Sequence, residues 1–309
     1  MRPIHSGWGA RARQPNREAR LSALGVRLTA VLVVTMGALA AVLPSGASAA
    51  GASYVSMGDS YTSAPGVLPV SPTAPPECGQ SAANYPHLVA SALHLSLTDV
   101  SCGGAKTENF TVAQYPDQPP QFDALSPATE VVTVGMGGND NNLFATLVEG
   151  CTKLDYGKPN KGAPCQKAYE GFVNKTFEEN RGPQETALAE IHTLAPKAKV
   201  FLVGYPEITP NRGYCPTAIP WTTGDMYWFH RDVQRRGDEA LRQEASKNHD
   251  HFVDTFTNSE GHNACEPVGT RWIEPLFGSL TGVPVHPNAM GEEHDALAVE
   301  RAMREQHIN

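Results

Sequence analysis

The 309-residue sequence has one long apolar run, residues 28–43, and no second one after it. That run holds sixteen residues, which is short for a helix that crosses a bilayer. The CxxC and HExxH spacings typical of zinc sites do not occur. GxSxG, the nucleophile motif of the α/β-hydrolases, is also missing. These absences argue against an integral membrane protein, a zinc enzyme and an α/β-hydrolase.

The first 49 residues have the composition of an export signal. They contain six arginines, no lysine and a single acidic residue, Glu18, and the apolar run follows. The run ends in SGASAA, in which Ala47, Ser48 and Ala49 satisfy the small-residue rule for signal peptidase. No two of these arginines are adjacent, so the twin-arginine route is not indicated. We expect residues 1–49 to be a cleaved signal peptide, with an uncleaved anchor as the alternative.

The remaining chain, residues 50–309, is acidic. It carries 18 basic and 31 acidic residues, a formal charge of −13. This charge argues against nucleic acid as a partner and against electrostatic docking on anionic lipid. About 260 residues are enough for a single α/β domain with a full core. We therefore expect a secreted, monomeric, one-domain protein without a stable membrane anchor after signal cleavage.

All cysteines lie in this acidic part of the chain. Their positions are Cys78, Cys102, Cys151, Cys165, Cys215 and Cys265. An even number in an exported chain predicts three disulfides, and six cysteines allow fifteen pairings. The residues themselves leave the pairing open.

Strand-like and helix-like patterns alternate along the chain. Strands are predicted at Tyr54–Met57, Thr98–Cys102, Glu130–Met136, Lys199–Val203 and His251–Asp254. Helices are predicted at Asn84–Leu95, Gln166–Leu194 with an interruption around Gly182-Pro183, Thr223–Lys247 and Asn288–Gln306. Such alternation predicts a parallel sheet covered by helices on both faces.

Three polar groups follow predicted strands and should meet at one edge of that sheet. Ser60 follows the first strand across the Gly58 turn, Gly104 follows the second and Asn139 follows the third. Ligands of parallel sheets collect at the carboxyl ends of the strands. A serine hydroxyl there becomes a nucleophile when a base removes its proton. His286, held in an extended conformation by the following proline, is the candidate base.

An acyl-transfer site also needs donors for the oxyanion. The candidates are the backbone N–H groups of Ser60 and Gly104 and the side-chain amide of Asn139. Asp59 and Asp140 are predicted to brace their turns rather than to act on substrate. Each residue alone has an ordinary structural interpretation, but together they favour a secreted serine esterase or lipase.

The order of the motifs resembles that of the SGNH (GDSL-type) hydrolase superfamily, and more closely its secreted actinomycete lipases and esterases. The matching blocks are GDSYTS at Gly58–Ser63, NYP at Asn84–Pro86, DVSCGGAKT at Asp99–Thr107, GGND at Gly137–Asp140 and HPNAMG at His286–Gly291. The resemblance implies a flavodoxin-like three-layer α/β/α sandwich and no metal or organic cofactor. It also implies that Ser60 is the nucleophile, His286 the base, and Gly104 and Asn139 members of the oxyanion hole.

The resemblance further implies a sequential disulfide pattern. The implied pairs are Cys78–Cys102, Cys151–Cys165 and Cys215–Cys265. The implied substrate is a small-molecule or lipid ester.

The chain departs from the family pattern at two positions. Gly103 stands where close relatives often carry serine, and Val283 stands where many members carry an aspartate, three residues before the histidine. We therefore predict that a backbone carbonyl, of Val283 or a neighbour, orients His286. Asp254 and Asp295 are the rival carboxylates.

Other functions stay open at this stage. A phospholipase of A type or a carbohydrate O-acetylesterase would use the same serine chemistry. A non-catalytic surface module would be expected to have lost the serine, asparagine or histidine, and none is lost. A zinc site at His249, His251 and His262 lacks the usual ligand spacing. Acyl chain length and leaving alcohol depend on loop geometry.

Overall fold

The fold is built on one parallel β-sheet. The computed structural model describes residues 51–309, so the predicted signal peptide lies outside the described residues. The strands are β1 (Ser53–Gly58), β2 (Ser96–Asp99), β3 (Val131–Gly135), β4 (Lys199–Val203) and β5 (His251–Val253). They are joined in the order β2-β1-β3-β4-β5, and every pair is parallel. This arrangement confirms the predicted fold class.

The register brings the ends of the two central strands level. Tyr54 of β1 lies opposite Val131 of β3, and Gly58 lies opposite Gly135. The loops that follow both strands therefore leave the sheet at the same edge. This places the GDSYT and GGND motifs side by side.

Helices cover both faces of the sheet. They are α1 (Ser60–Ser63), α2 (Tyr85–Ala92), α3 (Leu143–Asp155), α4 (Pro164–Leu194), α5 (Thr223–Trp228), α6 (Arg236–Asn248), α7 (Thr255–Asn258) and α8 (Ala289–Glu305). None of the helices within residues 51–309 has the length and apolar character needed to cross a membrane.

The strands alternate their side chains between two apolar cores. Val131 and Phe201 point to the face covered by α2 and α8, whereas Val132 and Leu202 point to the face covered by α4 and α6. A strand in a sheet that is covered on both faces has an almost continuous apolar sequence, as β3 and β4 do. The result is the three-layer α/β/α sandwich that the resemblance implies.

Strand β2 begins and ends earlier than predicted. It ends at Asp99, whereas the sequence pattern extends it to Cys102. The Asp99 carboxylate accepts hydrogen bonds from the backbone N–H and the hydroxyl of Ser101, which turns the chain out of the strand. Cys102 then donates its N–H to the carbonyl of Gly58 and starts the turn that contains Gly104.

The predicted interruption around Gly182-Pro183 is wrong, because α4 continues through both residues. Both lie on the exposed side of the helix. Val173 before them, and Leu188 and Ile191 after them, are buried. Apolar packing on both sides of the proline therefore outweighs the hydrogen bond that its missing N–H removes.

Four further helical features differ from the prediction, two of which are the short helices α1 and α7. Helix α3, where no helix is predicted, carries buried Leu143, Leu147 and Cys151 at helical spacing. The predicted single helix Thr223–Lys247 is divided by a π-helical segment, Phe229–Arg235, between α5 and α6.

Disulfides connect Cys78 to Cys102, Cys151 to Cys165 and Cys215 to Cys265. These are the pairs that the resemblance implies. The first closes the turn beside Gly103, whose N–H donates to the carbonyl of Cys78 at 2.9 Å. The second joins α3 to the start of α4.

Candidate active site

Ser60 lies at the first position of α1, directly beyond the carboxyl end of β1. Asp59 caps this helix, and its carboxylate accepts the N–H of Tyr61 at 2.9 Å. A Cβ at Gly58 would lie 2.1 Å from Oγ1 of Thr62 and 2.8 Å from the carbonyl oxygen of Gly135. Only glycine fits where the turn packs this closely on β3, so Gly58 is a steric requirement of this turn.

His286 reaches Ser60 across 226 residues of sequence. Nε2 of the imidazole lies 2.7 Å from the Ser60 hydroxyl oxygen, and Nδ1 lies 2.8 Å from the carbonyl oxygen of Pro284. A carbonyl oxygen can only accept, so Nδ1 carries the proton. Nε2 therefore presents its lone pair to the Ser60 O–H, which is the arrangement a general base requires.

The orienting carbonyl belongs to the neighbouring Pro284. The first candidate, Val283, is wrong. The carbonyl of Val283 accepts the backbone N–H of His286 instead, at 3.2 Å. The turn formed by that bond directs the next carbonyl, that of Pro284, toward the ring. The sequence indicated a main-chain acceptor in this segment, but the choice between neighbours depends on backbone dihedral angles.

Val285 supplies the unusual dihedral angle of this turn. Its φ is +59°, in the left-handed region that β-branched residues rarely adopt. Three hydrogen bonds hold it there: from Val285 N–H to the Glu274 carbonyl at 2.9 Å, from Glu274 N–H to the His286 carbonyl at 2.8 Å, and from the Tyr61 hydroxyl to the Val285 carbonyl at 2.5 Å. A strained backbone conformation of this kind persists only where several surrounding contacts hold it in place.

Neither rival carboxylate hydrogen-bonds His286 within the described residues. Asp254 caps α7 by accepting the N–H of Thr257 at 2.8 Å, and it pairs with Arg242 at 2.8 Å. Asp295 lies on the buried side of α8, and burial alone raises its pKa to about 8. Asp295 is therefore protonated at neutral pH and offers no negative charge to an imidazolium.

Burial lowers the pKa of His286 below its usual value, although the hydrogen bond to Pro284 raises it in part. No negatively charged group within residues 51–309 contributes to the pKa of His286. The neutral ring that can accept a proton is therefore the dominant form at neutral pH.

The backbone N–H groups of Ser60 and Gly104 donate to no protein group within residues 51–309. Gly104 adopts a left-handed conformation with φ of +77°, which a glycine adopts at no steric cost. The amide of Asn139 donates to the carbonyl of Ala105, next to Gly104, at 3.1 Å. Backbone N–H groups without a protein acceptor and a side-chain amide are the kinds of donor that bind an oxyanion.

Asp140 fixes the position of the Asn139 turn relative to the Gly104 turn. Its carboxylate accepts the backbone N–H of Thr107 at 2.8 Å and the Thr107 hydroxyl at 2.5 Å. The sequence-based prediction that Asp140 braces its turn agrees with these contacts. A bidentate, mostly buried clamp of this kind limits how far Asn139 can move from Gly104.

Tyr205 is a site residue that the sequence analysis missed. Its hydroxyl donates to the Asp59 carboxylate at 2.6 Å and accepts the N–H of Gly138 at 2.9 Å. It therefore connects the serine turn to the asparagine turn. Burial raises the pKa of Asp59 to about 7, against hydrogen bonds from Tyr205 and Tyr61 that lower it. The one available signal is the position of Tyr205 directly after β4, in the turn of residues 204–207.

Residues 51–309 contain no group of three or more His, Cys, Asp or Glu side chains arranged to hold a metal ion.

Comparison with known proteins assigns the chain to a family. The model of the GDSL-like Lipase/Acylhydrolase family matches residues 56–294. The chain belongs to this family. Lipase 2 of Streptomyces coelicolor is 42% identical over 79% of this chain and 83% of its own length. An esterase of Streptomyces scabiei is 30% identical over 90% of this chain and 94% of its own. The protein is a carboxylic ester hydrolase.

Solved structures show the same fold. The extracellular lipase of Streptomyces rimosus superposes on the enzyme with a TM-score of 0.67 at 21% identity, covering 82% of this chain and all of the lipase. Phospholipase A1 of Streptomyces albidoflavus superposes with a TM-score of 0.66 at 23% identity, covering 83% and 99%. At these identities the likeness concerns the α/β/α architecture alone.

Proposed function

We propose that the enzyme hydrolyses carboxylic acyl esters through a covalent acyl-enzyme on Ser60, with His286 as the general base. The observation that carries this proposal is the 2.7 Å contact between Nε2 of His286 and the hydroxyl oxygen of Ser60. A serine at a strand end, hydrogen-bonded to a neutral imidazole, is the arrangement that activates an oxygen nucleophile.

The first half of the reaction forms the acyl-enzyme. His286 takes the hydroxyl proton as Oγ of Ser60 attacks the ester carbonyl carbon. The carbonyl oxygen becomes an oxyanion, which accepts hydrogen bonds from the N–H groups of Ser60 and Gly104 and from the Asn139 amide. Removing one such donor typically costs about 10²–10³ in turnover. The imidazolium then protonates the departing alcohol.

The second half of the reaction releases the acid. His286, neutral again, removes a proton from water, which attacks the acyl carbon, and the proton then returns to Oγ of Ser60. Through both halves the Pro284 carbonyl accepts the Nδ1 proton and keeps the tautomer fixed. We propose a dyad: a neutral carbonyl orients the ring, while it stabilises the imidazolium less than a carboxylate would.

Secretion belongs to the same proposal. Residues 1–49 carry the features of a cleaved signal peptide, with cleavage expected after Ala49. Three disulfides in the described part of the chain fit an oxidising compartment outside the cell. The product would be a monomeric extracellular enzyme of residues 50–309, which N-terminal sequencing of the exported protein tests directly.

Ser60→Ala tests the nucleophile. We expect the variant to fold, to lose ester hydrolysis and to escape labelling by a fluorophosphonate, which should modify the wild type at Ser60 alone. Turnover in Ser60→Ala above the level of contaminating enzymes would contradict the assignment.

An ester panel tests the substrate class. It consists of p-nitrophenyl esters of short, medium and long acyl chains, phosphatidylcholine and acetylated xylan. Because each methylene that a pocket accepts contributes about 0.8 kcal/mol, the chain-length optimum reports the depth of the acyl site. Preference for phosphatidylcholine would indicate a phospholipase of A type, and preference for xylan an O-acetylesterase.

A further inference from the structure

Two segments without charged residues flank the candidate catalytic pair. Residues 60–76, which begin at Ser60, contain no Asp, Glu, Lys or Arg, and neither do residues 275–291, which include His286. Charged residues make up 18% of the chain. Two stretches of seventeen residues without any of them therefore depart from the composition of the rest, and both lie at the site.

The two segments touch and form one surface. Val283 donates its N–H to the carbonyl of Pro65 at 3.1 Å. A Cβ at Gly66 would lie 3.0 Å from the Cα atom of Gly282, so the two loops are in backbone contact. Residues 60–76 and 275–291 together are named here the uncharged rim. Ser60 belongs to the first segment and His286 to the second, so the rim lies on both sides of their hydrogen bond.

The uncharged rim also concentrates exposed apolar side chains. Leu68 is 76% exposed and Leu280 is 67% exposed. Of the twelve large hydrophobic side chains exposed within residues 51–309, six lie in the rim, which has 34 of those 259 residues. The six are Leu68, Val70, Phe277, Leu280, Val283 and Met290. Singly scattered apolar side chains are ordinary on a protein surface, whereas a cluster marks a contact surface.

We propose that the uncharged rim docks the enzyme on the surface of a lipid aggregate with neutral or zwitterionic head groups. Leucine, valine and phenylalanine side chains gain free energy when they leave water for such an interface, and no charged group in the rim opposes the transfer. The formal charge of −13 for residues 50–309 repels anionic lipid. The partner is therefore a lipid surface without net charge. This inference rests on the proposed esterase function, since docking would bring aggregated esters to Ser60.

Binding is measured first, with hydrolysis removed. In the Ser60→Ala background, the protein is sedimented with vesicles of phosphatidylcholine and, separately, of phosphatidylglycerol. We expect partition onto phosphatidylcholine and weaker partition onto phosphatidylglycerol. Leu68→Asn combined with Leu280→Asn should lower the partition coefficient about tenfold or more, given the transfer free energy of two leucines.

Leu297→Asn is the matched control, because Leu297 is 52% exposed on α8 and lies outside the rim. It should bind vesicles like the parent. If the double variant and the control bind equally, or if phosphatidylglycerol is preferred, the proposal is overturned.

Turnover is measured second, in the active enzyme. The double variant should keep its rate on soluble p-nitrophenyl acetate and lose about tenfold or more on a long-chain p-nitrophenyl ester carried in phosphatidylcholine vesicles, the same loss that binding shows. Equal losses on both substrates would overturn the docking role. Failure of the proposed function is distinguishable, since the wild type would then hydrolyse neither substrate while vesicle binding could persist.

A second copy of the chain is the competing occupant of the rim. Analytical ultracentrifugation decides between them: we expect monomers for the parent and for the double variant. A dimer that the Leu68→Asn and Leu280→Asn changes dissociate would assign the rim to self-association and overturn lipid docking.

Discussion

The hydroxyl of Tyr61 donates a hydrogen bond to the carbonyl oxygen of Val285 at 2.5 Å. This bond joins the residue after the candidate nucleophile to the residue before the candidate base. The Tyr61 and His286 rings also lie close, with centroids 4.9 Å apart. The geometry of the Ser60–His286 pair is therefore coupled to one phenol group that takes no part in proton transfer.

Tyr61→Phe should consequently lower kcat by about tenfold while KM changes little. Loss of the hydroxyl leaves a partly buried carbonyl without its donor, at a cost of about 1–3 kcal/mol, and lets the left-handed Val285 relax. Steady-state kinetics on a soluble ester measure the effect. Tyr156→Phe, at an exposed tyrosine, is the control and should match the wild type; an unchanged kcat in Tyr61→Phe would show that the turn holds without the phenol.

Asp254→Asn and Asp295→Asn should each keep near-normal turnover, whereas His286→Ala should be inactive. Asp254 is engaged with α7 and Arg242, and Asp295 is uncharged at neutral pH. A carboxylate that served His286 in a triad would cost up to about 10⁴ in turnover when converted to the amide. A loss of several orders of magnitude in either variant, with the circular dichroism spectrum preserved, would replace the dyad with a triad.

The pH at which the His286 ring loses its proton distinguishes a dyad from a triad. Burial lowers the pKa of His286 below the ordinary histidine value of about 6.5, so the ring should lose its proton below that pH. Activity depends on the neutral ring and should therefore rise with pH and reach its plateau by neutral pH.

NMR titration of the His286 ring protons in Ser60→Ala measures this midpoint without interference from Asp59, whose pKa lies at about 7. A midpoint above 6.5 would reveal a negative charge beside the ring, because an anionic partner favours the imidazolium.

Removal of the Cys151–Cys165 disulfide should affect stability alone, whereas removal of the Cys78–Cys102 disulfide should affect stability and turnover. Cys151→Ala with Cys165→Ala should lower the free energy of unfolding by about 3 kcal/mol in the chain-entropy model, with turnover retained. Cys78→Ala with Cys102→Ala should lower both stability and turnover, because Gly103 hydrogen-bonds Cys78 and precedes Gly104.

Thermal unfolding and soluble-ester kinetics of the two double variants test this difference. Equal turnover in both would show that the Gly104 turn keeps its shape without the Cys78–Cys102 bond.

The sequence predicts the five parallel strands, the helices α2, α4 and α8, and the positions of the motifs at strand ends. These features depend on local patterns: apolar runs such as Val131–Gly135, a cap such as Asn288 before α8, and a glycine where a turn packs tightly. The sequence also predicts Ser60, Gly104, Asn139 and His286 as site residues, because each follows or precedes a regular element. Their catalytic roles stay predictions.

Tertiary structure decided the contacts between distant segments. The carbonyl that orients His286 is that of Pro284 because Val285 is held at φ of +59° by Tyr61 and Glu274, which are remote in sequence. Tyr205 joins two turns that lie on different strands, and α4 passes through Pro183 because its buried side chains pack on both sides of it. Local patterns record the propensities of neighbouring residues, whereas backbone strain and long-range hydrogen bonds are set only when the whole chain packs.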